Sequence, residues 1–231
     1  VTSLPDKTAS IEAAIAAIPD GATIMVGGFG VPGTPFTLLR ELLRQGQTGL
    51  TLIKNDANET GMGLDHLIAA GRVRKLIATH IGLNAHAIAA MNEGRLEVEF
   101  CAQGILAERI RAGGAGLPAI LTDIGLDTEL AAGKQRVEVE GRPLLVETAL
   151  RADAALIHAD RADRFGNLAY VATARNFNPL MAMAARLVVA ETETLLPLGG
   201  LAPDAVETPG VFVDRICPLT EISEEYGVVR R

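Results

Sequence analysis

Apolar residues recur along this chain in two alternating rhythms. Ile11, Ala14, Ile15 and Ile18 fall at helical spacing, which predicts an amphipathic helix over 10–18. Pro19-Asp20-Gly21 is a turn, and 23–26 is a short apolar run of buried-strand type. Thr34 then suits a helix N-cap with Pro35 at the first helical position, and Gly46 ends that helix. The cycle repeats. Strands are predicted at 50–55, 75–79 and 97–101, with a fifth at 119–122. Between them fall a helix marked by Leu64, Leu67 and Ile68, a second over 84–93 stopped by Gly94, and a third over 105–112. Strands separated by helices of about ten residues imply parallel pairing through right-handed crossovers. The expected fold is therefore α/β: an open, mainly parallel sheet with helices on both faces.

The middle breaks the rhythm. Two short strands at 136–140 and 143–147 flank a tight turn at Gly141-Arg142, which predicts a small β-hairpin excursion beside the sheet. Alternation returns with a strand at 154–159, a helix beginning at Asn178-Pro179 and a strand at 187–190. From Leu195 onward the tail is rich in Pro and Gly and has little helical pattern. With no internal repeat or linker, 1–231 reads as a single domain.

Composition narrows the function classes. The chain is 48% hydrophobic and 21% charged, as a globular protein with a full core should be. Only 3% of residues are aromatic and none is Trp, which argues against a stacking platform for single-stranded nucleic acid. A net charge of −7 argues against a nucleic-acid backbone binder. Cys101 and Cys217 lie far apart among apolar neighbours and suit core positions in a reducing compartment. No apolar run has the length of a membrane span, and no signal-peptide pattern opens the chain. The expected location is cytoplasmic, with prior removal of a leader left open.

In open parallel sheets, ligands bind outside the carboxyl ends of the strands. Those ends carry, in order, a glycine loop at Gly27-Gly28-Phe29-Gly30-Val31-Pro32-Gly33, then Asn55-Asp56, then His80, then Gln103-Gly104. The loop invites a ligand to approach bare backbone. Asn55 suits either a turn cap or a polar pocket wall, and His80 either a structural hydrogen bond or catalysis. His66 and His86 fall in helical stretches, and His158 suits a satisfied core position. No His, Asp or Glu group shows metal spacing. Gly28 to Gly33 also satisfy G-x-G-x-x-G, with Asp56 where a ribose-binding acid would fall. In a dinucleotide fold, however, the helix opens within those glycines. Here the Thr34-Pro35 signal falls after them, so an NAD(P)-binding oxidoreductase is an alternative and not the main reading. A second cluster, Gly113-Gly114-Ala115-Gly116, suits a helix C-cap or a close approach by a ligand or partner.

Longer stretches carry a resemblance. They are Asp20-Gly21 followed by Ile24-Met25-Val26-Gly27-Gly28-Phe29-Gly30, with Gly33 and Pro35 behind, and Gln103-Gly104 leading through Glu108-Arg109 into Gly113-Gly114-Ala115-Gly116. Ala162-Asp163-Arg164 with Gly166-Asn167, Ala174-Arg175-Asn176-Phe177-Asn178, and Val213-Asp214-Arg215 extend it over almost the whole chain. In these the chain resembles the A (alpha) subunit of the family I CoA-transferases, the 3-oxoacid CoA-transferase group. The resemblance implies a fold of the CoA-transferase and sugar-phosphate isomerase group. It implies transfer of CoA from an acyl-CoA such as succinyl-CoA to a carboxylic acid, by default a 3-oxoacid, through a glutamyl-CoA intermediate. It places the coenzyme A substrate at Gly27, Gly28, Phe29, Gly30, Val31, Pro32 and Gly33, and sets Asn55 and Gln103 by the acyl substrate or the glutamyl intermediate. No permanently bound cofactor or metal is implied.

The catalytic glutamate of the two-subunit members lies in a Ser-Glu-Asn-Gly setting on a B (beta) subunit. Ser223-Glu224-Glu225-Tyr226-Gly227 is the nearest match here, and it lacks the Asn. The expectation is therefore a chain without its own nucleophile, paired with a homologous B subunit in an A₂B₂ or larger assembly. Three departures concern the acid substrate: Asp56 stands where a second Asn is common, Ala102 where Pro is common, and 122–128 replaces a Thr-Pro-Thr-Gly-Tyr-Gly-Thr run. Arg109, Arg111 and Arg175 are candidate phosphate contacts by charge alone, and each also suits a surface or interface position. A non-catalytic effector-binding module of the same fold is the remaining alternative.

Overall fold

The computed structural model describes residues 4–228. Six α-helices are present among these residues: α1 (Ile11–Ile15), α2 (Phe36–Gln45), α3 (Leu64–Ala69), α4 (Ala85–Asn92), α5 (Gln103–Gly114) and α6 (Asn178–Ala184). The main sheet contains β1 (Thr23–Val26), β2 (Leu50–Ile53), β3 (Val73–Ala78), β4 (Glu97–Phe100), β8 (Ala152–Asp163), β9 (Leu168–Ala169), β10 (Ala185–Leu196) and β11 (Arg215–Pro218). A separate small sheet contains β5 (Ala119–Thr122), β6 (Arg136–Val139) and β7 (Arg142–Thr148).

The main sheet runs β11-β10-β8-β1-β2-β3-β4, and all six neighbouring pairs along that order are parallel. Only β9 is antiparallel, folded back on β8. Side chains alternate between two buried faces, as pleating requires. Ile24 and Val26, Leu50 and Leu52, and Leu76 and Ala78 pack with the apolar stripes of α1 to α4. Met25, Ile53, Ile77, Ala155 and Ile157 pack on the other face with α5 and α6. Helices on both faces of a mainly parallel sheet match the expectation.

Three details differ from it. The strand at 119–122 does not extend the main sheet. It pairs antiparallel with β7, so the hairpin excursion is a three-stranded sheet. The β6–β7 turn falls one residue earlier than expected, at Glu140 (φ 52°) and Gly141 (φ 74°), with Arg142 already in β7. Second, β8 and β10 each have 12 residues, because they pair onward past their apolar segments to Leu196 opposite Asp163. Third, α2 begins one residue late, with Pro35 at the N-cap, and the Thr34 hydroxyl donates to Gly30 O instead of capping. The free N–H groups of that helix still need an acceptor. It comes from far away: Leu38 N donates to Glu191 Oε2 of β10 at 2.9 Å.

The second glycine cluster serves packing within the chain. Gly113 and Gly114 belong to α5 itself, and the C-cap is Ala115. A Cβ on Gly113 would lie 1.8 Å from Leu150 O, and one on Gly114 2.7 Å from Met183 Cβ. Gly104, in the first turn of the same helix, has open space where its Cβ would be. Gly113→Ala should therefore cost about 1–3 kcal/mol, as overpacking against backbone does. Gly104→Ala should gain about 0.5–1 kcal/mol from helix propensity. Denaturant midpoints of the two variants moving in opposite directions would verify the packing.

Candidate functional site

The strand order places one loop at a switch point. β1 is followed in sequence by its neighbour β2 on one side and flanked by the late strand β8 on the other. The crevice where strand order reverses is where parallel sheets take ligands. The loop leaving β1 is Gly27–Gly33. Pro32 and Gly33 form its tight turn, with Thr34 N donating to Val31 O at 3.1 Å and Gly33 at φ 77°.

Three of its four glycines are required by the chain's own packing. A Cβ on Gly27 would lie 1.8 Å from Asn178 Oδ1. On Gly28 it would lie 2.2 Å from Thr34 Oγ1, and on Gly33 2.4 Å from Ala174 O. Only Gly30 is open: the nearest atom to its Cβ position is Asp56 Oδ2, 4.0 Å away. The bare backbone that the sequence advertises is thus one residue wide.

Gly30 is held by the end of β2. Its N–H donates to Asn55 Oδ1 at 3.3 Å, and its carbonyl accepts from Asn58 Nδ2 at 2.8 Å. Lys54 is fully buried and ion-pairs Asp56 Oδ1 at 2.9 Å, so the acid that departs from the family pattern carries its own counter-charge. Burial pushes the Lys54 ammonium below its ordinary value, against the opposing pull of Asp56. Asn55 is also fully buried, and its Nδ2 has no partner among the described residues. An unmet buried donor is costly, so this group is a natural place for an incoming acceptor. Thr79 Oγ1 lies 2.6 Å from Asn55 O and 3.2 Å from Gln103 Oε1, linking the ends of β2 and β3 to α5. Gly30, Asn55 and Gln103 therefore share one hydrogen-bonded neighbourhood. Gln103 and Gly104 are exposed, and so is His80.

The other side of the loop meets a different environment. Pro32 and Gly33 line a 530 Å³ cavity with His158, Asp160, Glu193, Tyr226 and the segment 171–174. Phe29, 47% exposed, lines an adjoining depression with Pro32, Thr173 and Asn176. Asn176 Nδ2 donates to Pro32 O at 2.9 Å and Asn178 Nδ2 to Gly33 O at 3.2 Å, so the Arg175–Asn178 motif clamps the loop. Ala172 sits at φ 47°, an unusual backbone for a residue with a Cβ, at the cavity wall.

His158 is satisfied, as expected, but by a charged group. Its Nδ1 lies 2.9 Å from Glu191 Oε1 and its Nε2 3.3 Å from Glu193 Oε1. Burial disfavours the imidazolium, yet the two carboxylates outweigh it and raise the pKa to about 9. Tyr226 packs on the ring at 4.8 Å and donates its hydroxyl to Thr34 O. The neighbouring Glu225 accepts from Gly63 N at 2.8 Å and pairs with Arg40 at 3.2 Å, so the Ser223–Gly227 lookalike is occupied with holding the tail in place. Sequence reasoning missed Lys54, Glu191, Glu193 and Tyr226. The two glutamates alternate at the carboxyl end of β10, where extending that strand would have exposed them. Lys54 and Tyr226 had no such signal.

Among the arginines, Arg109 is 6% exposed and donates to Thr148 O at 2.8 Å and Glu99 Oε1 at 2.9 Å. It joins the small sheet to α5 and does not stand free for a phosphate. Arg111 pairs with Glu108 on the surface. Only Arg175, paired with Glu207 at 3.2 Å, adjoins the cavity-lining segment.

Comparison with known proteins gives this geometry its family. The profile described as "Coenzyme A transferase" matches residues 8–218. The chain belongs to the coenzyme A transferase family. It is 52% identical over 211 residues to the alpha subunit of a probable coenzyme A transferase of Bacillus subtilis (strain 168), covering 91% of this chain and 92% of that one. It is 47% identical over 211 residues to the A subunit of the succinyl-CoA:3-ketoacid coenzyme A transferase of Xanthomonas campestris pv. campestris (strain B100), covering 91% and 87%. Among solved structures, a variant of the decarboxylase AibA/AibB superposes with a TM-score of 0.79 at 32% identity, covering 91% and 82%. The family match gives the dinucleotide alternative no support. Among the described residues of this coenzyme A transferase, no helix is long and apolar enough to cross a membrane, and no His, Cys, Asp or Glu group is arranged to hold a metal.

The His158 ion pairs make a pH signature. A histidine raised in the folded state stabilises fully below its unfolded value near 6.5, and that contribution is lost as pH rises through about 9. Between those limits the melting temperature should fall more steeply in the native protein than in His158→Gln. Parallel curves from scanning calorimetry would overturn the assignment.

Proposed function

We propose that this chain is the A (alpha) half of a CoA-transferase that moves CoA between an acyl-CoA, such as succinyl-CoA, and a carboxylic acid of the 3-oxoacid class. It acts as one domain in an A₂B₂ or larger assembly with a homologous B subunit, in the cytoplasm. CoA is a substrate and no resident cofactor takes part. One observation carries the site assignment: the single open glycine of the switch-point loop, Gly30, lies beside the unmet buried donor of Asn55. Exposed Phe29 and Val171 beside the loop and cavity support coverage of this face by the partner.

The chemistry follows from what the residues offer. The thioester carbonyl is attacked by a carboxylate of the B subunit; the C–O bond forms, the C–S bond breaks, and CoA leaves as thiolate. The thiolate then attacks the glutamyl carbonyl of the mixed anhydride; the C–S bond forms and the donor acid leaves as carboxylate. The acceptor acid reverses these steps. No net proton or electron is exchanged. Each attack places negative charge on a carbonyl oxygen, which a preorganised donor stabilises best. Asn55 supplies such a donor, and Gln103 and Gly104 at the start of α5 bound the acyl pocket. The residues Gly27–Gly33 form the wall along which CoA approaches, and Gly30 is the one glycine of that wall with open space at its Cβ position. Fold alone does not fix the reaction, since the AibA/AibB decarboxylase shares it. The likeness to the alpha chains of two transferases favours transfer.

Co-expression with the B subunit tests the division of labour. The complex should transfer CoA between succinyl-CoA and acetoacetate without releasing CO₂, and the isolated chain should not. Activity from the isolated chain would refute it. Gly30→Val in the complex should lower kcat or raise the KM for acyl-CoA by about tenfold or more, the scale of losing a backbone contact. A branched side chain at φ 60° adds local strain of about 1–2 kcal/mol, so the melting temperature is measured alongside. Unchanged kinetics would remove the loop from the site.

A further inference from the structure

The Gly30–Val31 peptide is restrained unlike any other in the loop. Its carbonyl oxygen accepts from Thr34 Oγ1 at 2.7 Å, Asn58 Nδ2 at 2.8 Å and Lys54 Nζ at 3.4 Å. Two lone pairs are thus met by three donors, one of them an ammonium without exposed surface. Burying that ammonium costs free energy, which packing alone would not require. Asp56 balances its charge from 2.9 Å, so the pair can stay ionised in the interior.

All peptide bonds here are trans, so the C=O of Gly30 and the N–H of Val31 point in opposite directions. The Val31 N–H therefore points away from Lys54, Asn58 and Thr34. Among the described residues, no acceptor meets it. Val31 is partly exposed, and the adjoining Gly30 faces open space. Hydrogen bonds to an amide oxygen polarise the amide and strengthen its N–H as a donor. An ammonium does this more than a neutral group.

We propose that the Val31 N–H is an oxyanion donor for the thioester exchange, and that buried Lys54 is the positioning residue that orients and polarises its peptide. This rests on the loop being the wall of the reacting centre. As a nucleophile bonds to the carbonyl carbon, the C=O π pair moves to oxygen, and the Val31 N–H donates to that oxygen. As the leaving group departs with its bonding pair, the π bond reforms. No proton leaves Val31. The Lys54–Asp56 pair acts through the peptide and touches no substrate.

The test uses the assembled A–B complex carrying Lys54→Met together with Asp56→Asn, which removes both charges without stranding either. The expected result is a fall in kcat of about tenfold or more, with the KM for succinyl-CoA within about twofold. Isotope-edited infrared of the trapped glutamyl-CoA complex should show its thioester C=O band at higher wavenumber, because the donor is weaker. A purely structural role would not move that band. Thr34→Val, nearly isosteric, removes one neutral donor from the same carbonyl and should shift kcat and band in the same direction by less; it decides the matter should the double variant not assemble. Unchanged kcat and band in an assembled variant would overturn the proposal, and so would a rise in KM alone. A native complex that forms no glutamyl-CoA thioester would instead refute the proposed function.

Discussion

Lack of room around the loop after β1 governs much of this structure. Asn178 fills the space beside Gly27, Thr34 the space beside Gly28, and Ala174 O the space beside Gly33. Each contact is with an element distant in sequence or with the loop's own exit. Together they leave the backbone one path, and on that path only Gly30 opens outward. The α6 N-terminus, the tail residue Tyr226 and the β10 residue Glu191 all converge on the same loop or its following helix. Because β1 lies at the switch point of the sheet, a restraint on this loop is a restraint on the place where a parallel sheet takes its ligand.

Charge around the loop is arranged in paired or clustered groups. Lys54 is matched by Asp56, and His158 by Glu191 and Glu193. Such pairs are expensive to build and costly to break by halves. Their benefit is position: Glu191 fixes the start of α2, and Lys54 fixes the Gly30 carbonyl. In the proposed site beside Gly30, what is left to meet a substrate is mainly amide N–H. That suits charge that appears and vanishes on a carbonyl oxygen better than a free cation would, since a free cation would also hold the reactant carboxylates.

The proposed division of labour fits the same economy. The described residues put no unengaged carboxylate beside Gly30: Asp56 is paired with Lys54, and Glu225 is tied to Arg40 and Gly63. A nucleophile brought by a partner meets a surface already fixed by its own chain. The AibA/AibB decarboxylase shares this fold, so the scaffold alone does not fix the reaction.

The sequence by itself determined the alternation of strands and helices, because apolar periodicity and Gly or Asn caps act over a few residues. Gly46, Asn84 and the Glu140-Gly141 turn behave as their local chemistry dictates. It also placed the glycine loop, Asn55 and Gln103 at strand ends. Tertiary structure alone decided which glycines serve packing, since the atoms that crowd Gly27, Gly33 and Gly113 come from residues 37 to 151 positions away. It alone sent 119–122 to the small sheet, since a short apolar run does not name its partner. It alone lengthened β8 and β10, whose polar ends are strands because they pair with each other and, for β8, with β9. Lys54, just past the end of an apolar strand, and Tyr226, in an irregular tail, gain their meaning from the loop they reach. Propensity and periodicity are local, whereas the site is made of contacts between distant segments.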